Sequence, residues 1–376
     1  MVPENPLRTQ VRITIAQLAM FDAVNAVLDG HYRPFVSKPA SPPGASPEAA
    51  AIHAAYVVAL NEFPTKLHEL ITLAYHTSLA GVPASHDAKA DGIEVGDAAA
   101  REVLRERAGD YRNLPELEGY TPGSEAGVWR PTPGGTANPQ TPFLRFVTPF
   151  GYDDPARFRP QAPPTLDSRT YTVDYNESKD LGRDTETNRT VEQSETASFW
   201  SPSASALWTT NIRSLARSMD FLDAARFEAI GIAAVTNALI AAWDAKYTYM
   251  FWRPVTAIRL GGIDGNPETE PDPTWTPFIV TPSHPEYPAA HTTVGAAALG
   301  FYTVWFGTDQ FEFPLAFTGN RDAVRYYTNV KEIHAEEGNA RVWGGMHWRN
   351  STEVGTALGS RVGKYTATHL LKPLDD

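Results

Sequence analysis

Three short stretches in the second half of the chain place cations and imidazoles at spacings that suit an oxoanion. "KYTYMFWRP" (246–254) sets Lys246 and Arg253 seven residues apart, two helical turns, so one helix would carry both on one face before Pro254 ends it. Two cations on an otherwise aromatic face are costly to bury without an anionic partner; the competing reading is a pair of solvated surface charges. "SHPEYPAAHTT" (283–293) runs from a turn into an apolar helix, with His291 in its first turn. The amides of Ala289 and Ala290 then stand at a helix end, where backbone N–H groups lack intrahelical partners and favour anions. A lone histidine there is also a common capping or core group. "ARVWGGMHW" (340–348) puts Arg341 and His347 six apart around Gly344 and Gly345, which permit a tight turn. His284 and Glu286, just upstream, either support these groups or simply belong to the loop. Taken together, two guanidinium forks, one ammonium, helix-end amides and two imidazoles match a tetrahedral oxoanion. One histidine could bond to the central atom while the other moves a proton.

The order K-x6-R-P, P-x-x-H, A-R-x5-H resembles the superfamily of vanadium-dependent haloperoxidases and type 2 phosphatidic acid phosphatases, which carries K-x6-R-P, P-S-G-H and S-R-x5-H in that order. Trp243, three residues before Lys246, together with "FWRP" and "HPEYP", is similar to the soluble haloperoxidase branch, as are "MFDAVN" (20–25), "GVWRPTP" (127–133) and "ETASFW" (195–200). The resemblance covers nearly the whole chain and is strongest over 243–350. It implies that His347 bonds the vanadium of vanadate, or attacks phosphorus. It implies that Lys246, Arg253, Arg341 and the Ala289–Ala290 helix end bind the oxygens, and that Lys246 also polarises peroxide. His291 becomes the acid–base group, and Trp243, His284 and Glu286 the halide or substrate pocket. The chain departs from the pattern at Ala289, Ala290 and Ala340, where the family has Ser, Gly and Ser. The first of these removes a hydroxyl donor to the oxoanion, worth roughly 1.5–3 kcal/mol for a charge-assisted bond.

The implied function is halide oxidation by hydrogen peroxide at a histidine-bound vanadate, with a small organic molecule as acceptor; phosphate could occupy the same site. An acid phosphatase working through a phosphohistidine, and a non-catalytic oxoanion-binding protein, are the alternatives. A zinc site from His284, Glu286, His291 and His334 lacks the helical i, i+4 spacing of histidine ligands.

These groups need a scaffold, and the rest of the sequence reads as helical. The 376 residues carry a net charge of −12, which argues against a nucleic-acid partner, and no cysteine, which removes disulfides, thiolate metal sites and thiol nucleophiles together. Apolar residues recur at helical spacing over 11–30, 46–63, 64–81 and 91–110, with Ser46 and Pro47 as a start signal and Gly30 as a stop. A Pro- and Gly-rich stretch over 111–192 reads as a long irregular wrapping segment, held down by Trp129, Phe143, Phe146 and Phe150. Helices resume near 192, with one or two long ones over 213–252, and loops fall at 261–288, 307–320 and 337–347. The apolar runs 229–243 and 294–306 are shorter than the ~20 residues of a bilayer span, and the N-terminus lacks a signal-peptide pattern. The expectation is therefore a soluble all-α protein with no membrane span: two four-helix-bundle-like halves joined by long Pro-rich segments in one compact domain of residues 1–376. Secreted, periplasmic or cytoplasmic placement and a homodimer stay open.

Overall fold

The computed structural model describes residues 5–316 and 324–374, and more than half of these are helical, with little strand. In chain order the helices are α1 (Pro6–Val27), α2 (Pro47–Glu62), α3 (His68–Ala80), α4 (His86–Glu106), α5 (Arg169–Leu181), α6 (Val191–Phe199), α7 (Ala204–Ala216), α8 (Phe221–Tyr249), α9 (Pro254–Leu260), α10 (Ala290–Phe306), α11 (Val330–Trp343) and α12 (Arg349–His369). Local chemistry sets their starts. Ser46 and Ser85 accept amides of the first turns of α2 and α4, Ser168 does so for α5, and Thr190 with Gln193 closes a capping box on α6. Several segments differ from the sequence reading; one is the loop expected over 337–347, which is helical as far as Trp343, the end of α11, and turns only at Gly344 and Gly345. α5 lies inside the stretch read as irregular, started by its Ser168 cap. The loop expected over 307–320 contains strand β1 (Gln310–Leu315), which pairs antiparallel with β2 (Arg325–Asn329) from Gln310↔Asn329 to Leu315↔Arg325. Of the four aromatics expected to hold 111–192 down, Trp129, Phe143 and Phe150 are buried but Phe146 is half exposed, its ring against the Arg145 guanidinium.

The chain divides into two compact units. The first comprises residues 1–110, 211–236 and 366–376. Here α1, α2 and α4 pack together, and Asp22 of "MFDAVN" explains its own burial. Its carboxylate accepts the amides of Phe35, Val36 and Ser37 at 2.7, 2.9 and 3.2 Å, tying the loop after α1 to the helix. Burial pushes this carboxyl up to about 6 against the pull of those amides. α4 meets α2 through Gly92 and Gly96, where a Cβ would come within 2.4 Å of the Ser46 and Ala50 carbonyl oxygens.

The second unit comprises residues 111–210 and 237–365 and carries all the site residues. Its central contact is α10 against α12. Gly355, Gly359 and Gly363 recur every fourth residue on one face of α12. A Cβ at Gly359 or Gly363 would sit 2.0 Å from the carbonyl oxygen of Thr293 or Ala297, and at Gly355 it would be 2.3 Å from the Thr292 hydroxyl. The two backbones therefore touch directly, and the Ala289 amide donates to the Ser351 carbonyl at 3.1 Å. That contact fixes the start of α10, with His291, beside the start of α12, just after His347. Beneath it lies an aromatic core of Tyr171, Tyr175, Phe251, Trp252, Trp275, Tyr287 and Trp348. α8 is long and apolar enough to span a bilayer by length and composition alone, but 78% of its apolar window is buried inside the protein, as befits a core helix.

This packing yields a first prediction. Gly359→Ala should lower stability by roughly 1–3 kcal/mol or more, because the obstructing atom is backbone and cannot rotate away. Gly109→Ala, where a Cβ meets nothing within 4 Å, should change little. Denaturant titrations of the two variants measure the difference, and equal midpoints would contradict the close-contact account.

Candidate functional site

Lys246 and Arg253 do not share a helix. α8 ends at Tyr249, Met250 takes a positive φ of 48°, and Phe251 bridges to Val128 in extended conformation. Arg253 is the N-cap of α9, and Pro254 opens that helix rather than ending the previous one. The break is made by the wrapping segment: the Trp129 amide donates to Met250 O at 2.6 Å and the Trp252 amide to Gly127 O at 2.9 Å. The two cations nevertheless converge, and both are fully buried, as is Arg341 at 1% exposure.

A connected set of hydrogen bonds joins most of the expected residues. Lys246 Nζ donates to the carbonyls of Pro285 (2.9 Å) and Glu286 (2.7 Å) and lies 5.9 Å from the centre of the Trp243 ring. Arg253 Nε donates to His284 O (3.0 Å) and Nη2 to His284 Nδ1 (3.1 Å); Nη1 reaches Met346 O (2.8 Å) and His347 Nε2 (3.1 Å). Arg341, in the last turn of α11, donates to Trp200 O (2.8 Å) and contacts the Met346 sulfur (3.2 Å). Gly344 and Gly345, the latter with φ 73°, turn the chain so that His347 comes back beside Arg253. His291 stands slightly apart: its Nε2 lies 2.9 Å from Pro202 O, two residues from the carbonyl that Arg341 holds. Ala289 is the N-cap of α10 and offers no side-chain cap. The Ala290 amide lies in the first turn of α10, where helix geometry provides no intrahelical partner.

The Trp243 and His284 rings meet at 4.9 Å between centres, with their planes tilted by 44°. Glu286 departs from the pocket-lining expectation. It is fully buried, and its Oε1 accepts from His347 Nδ1 at 2.7 Å and the Trp348 amide at 3.1 Å. Spacing gave no sign of this pairing, since 61 residues separate the partners. The sequence reading also passed over Glu337, one helical turn before Arg341. It is fully buried, with no hydrogen-bond partner on either carboxylate oxygen among the described residues, and Gly295 makes room for it. Its spacing to Arg341, i to i+4, was the available signal.

The electrostatics follow from burial. Desolvation, then Arg253, holds Lys246 well below an ordinary lysine, opposed by Glu286. Desolvation brings Arg253 down to about 10 and Arg341 to about 9. Burial followed by the neighbouring cations keeps His284, His291 and His347 well below an ordinary imidazole, so they are neutral. Glu286 is pushed up to about 7 and Glu337 well above the carboxylate range, again chiefly by burial. Three buried cations whose main acceptors are carbonyls, with Arg341 Nε left without a partner among the described residues, form a donor set that fits a multiply charged oxoanion. A vanadate would find Lys246, Arg253, Arg341 and the Ala290 amide for its oxygens and the His347 Nε2 lone pair for its metal.

Comparison with known proteins points the same way. Residues 226–376 match the family described as the VCPO second helical-bundle domain. The vanadium chloroperoxidase of Curvularia inaequalis is 27% identical over a stretch covering 34% of this chain and only 28% of the relative's length. Among solved structures, a bacterial vanadium-dependent iodoperoxidase superposes with a TM-score of 0.82 at 24% identity, covering 99% of this chain and 93% of its own. A holo bacterial vanadium-dependent chloroperoxidase gives 0.75 at 18% identity, with 96% and 91% covered.

The lowered lysine makes a prediction with a definite sign. A bound oxoanion favours the charged ammonium and raises the Lys246 pKa toward its ordinary value. Between the free and bound values, binding takes up protons, so affinity must fall as pH rises through that window. Calorimetric titration with tungstate in buffers of different ionisation heats should show net proton uptake. A binding heat independent of buffer would contradict the depressed lysine.

Proposed function

We propose that this chain is a member of the vanadium-dependent haloperoxidase superfamily that holds vanadate at the Lys246–Arg253–Arg341–His347 cluster and oxidises halide with hydrogen peroxide, a reading supported by the match of residues 226–376 and by the shared fold. The observation that carries this reading is the convergence of three buried cations on a histidine whose Nε2 faces a guanidinium. When bound, vanadate supplies a Lewis-acidic centre that activates peroxide toward halide without changing its own redox state.

The residues divide the remaining work. His347 presents its Nε2 lone pair as the protein's bond to the central atom. Lys246 spends two of its three N–H donors on the Pro285 and Glu286 carbonyls, which fix the ammonium and leave the third for an oxygen. Arg341 Nε, without a partner among the described residues, and the Ala290 amide at the helix start would serve the same purpose. A carbonyl can only accept, so the contact of His291 Nε2 with Pro202 O puts the proton on Nε2 and leaves Nδ1 as the atom that takes up or releases a proton during turnover. Trp243 and His284 wall the side on which halide and a small organic acceptor would enter.

The same unprotonated Nε2 also supports a second reading, an acid phosphatase. There Nε2 would form the bond to phosphorus as the ester P–O bond breaks, and His291 would protonate the leaving oxygen. Dye bromination dependent on both vanadate and peroxide, measured beside release of nitrophenol from its phosphate, separates the two. Neither activity would leave an oxoanion-binding protein.

Ala289 and His291 give opposite expectations. Ala289→Ser should tighten vanadate or phosphate by roughly 1.5–3 kcal/mol if its hydroxyl reaches the oxoanion, and should add about 1 kcal/mol of stability as a helix cap. His291→Ala should keep most of the oxoanion affinity but cut turnover by ~10²–10⁴-fold, the cost of a lost acid–base group. Unchanged turnover in His291→Ala would reduce His291 to a helix-end residue.

A further inference from the structure

Glu286 has a geometry that lining a pocket does not require. Its Oε1 receives two donors, His347 Nδ1 at 2.7 Å and the Trp348 amide at 3.1 Å, and its own carbonyl receives Lys246 Nζ at 2.7 Å. Its amide is engaged too, donating to Phe251 O at 2.9 Å. Main chain and side chain are thus both clamped, with the carboxylate fully buried against a histidine that is 2% exposed.

The hydrogen bonds on either side of that imidazole fix its proton. Arg253 Nη1 lies 3.1 Å from His347 Nε2, and a guanidinium has donors only, so Nε2 must accept. The ring proton therefore sits on Nδ1, pointing at Glu286. Free neutral imidazoles in water favour the opposite tautomer, with the proton on Nε2. That tautomer would turn an N–H toward the cations and leave no lone pair for a central atom. A carboxylate behind the ring reverses the preference and holds the ring plane, the arrangement that orients many ligating histidines.

We propose that Glu286 is the positioning residue of the site: it holds His347 in the Nδ1–H tautomer and so keeps the Nε2 lone pair turned toward Arg253 and the oxoanion. The consequence for oxoanion binding rests on the proposed role of His347; the tautomer itself does not. Glu286→Gln keeps a carbonyl acceptor at the same distance and removes the charge, whereas Glu286→Ala removes the acceptor.

The test reads the tautomer directly, by long-range ¹H–¹⁵N spectroscopy of the histidine rings in protein without oxoanion, with His347 assigned by its loss in His347→Asn. Wild type and Glu286→Gln should show a protonated Nδ1 and an unprotonated Nε2. Glu286→Ala should shift His347 toward the Nε2–H form and weaken tungstate binding by tenfold or more, with Glu286→Gln in between. An Nε2–H tautomer in wild type, or an unchanged tautomer in Glu286→Ala, overturns the proposal; because the wild-type and Gln spectra suffice for the first outcome, it stands tested even if the Ala variant does not fold. A tautomer that shifts with no loss of tungstate affinity overturns the link to the oxoanion. Wild-type protein that binds no vanadate would sink the functional reading instead, while the spectra still decide the role of Glu286.

Discussion

Three cations are buried in the second unit with too little negative charge around them, and much of its architecture can be understood as a response. Each of Lys246, Arg253 and Arg341 gives up its hydration and receives mainly main-chain carbonyls in return. Carbonyl dipoles make a buried cation tolerable but do not neutralise it. The two nearby carboxyls do so only in part, since burial raises both above the ordinary carboxylate range. Desolvation, reinforced at Lys246, Arg341 and the three histidines by the neighbouring cations, is why the protonation equilibria of Lys246, both arginines and the three histidines all lie below their ordinary positions.

Holding such groups together needs rigid support from several directions. The loop 283–289 supplies carbonyls to Lys246 and Arg253, and the turn at Gly344–Gly345 supplies the Met346 carbonyl. The backbone-to-backbone contact of α10 with α12 sets the helix end bearing His291 against the segment bearing His347. A small displacement of either helix would separate His291 from His347. This is a physical reason for glycine at 355, 359 and 363, where any side chain would force the helices apart.

Much of this was legible in the sequence, for identifiable reasons. The helical content follows from apolar periodicity, and the start of α2 from Ser46 and Pro47. The start of α10 at Ala290 follows from the turn residues before it. The i, i+4, i+8 glycines of α12 were equally visible, but their meaning depends on which helix they face. The break between Lys246 and Arg253 was not legible. "KYTYMFW" is locally a good helix, and only the pairing of Phe251 with Val128, from a segment more than a hundred residues earlier, pulls it into extended form. β1 and β2 were missed because their short aromatic runs stabilise strands only through each other. The Glu286–His347 bond joins two loops, and side-chain pairing at that separation leaves no periodic trace.

The central claim is that one pocket unites Lys246, Arg253, Arg341, the Ala290 amide and the His347 Nε2 around a single oxoanion. The most direct test is a crystal structure of the protein soaked with tungstate or vanadate. The account predicts strong metal density bonded to His347 Nε2, with oxygens within hydrogen-bond reach, ~3.2 Å, of Lys246 and both arginines. Metal density elsewhere in the protein, with the His347 Nε2 still turned onto Arg253 alone, would contradict it.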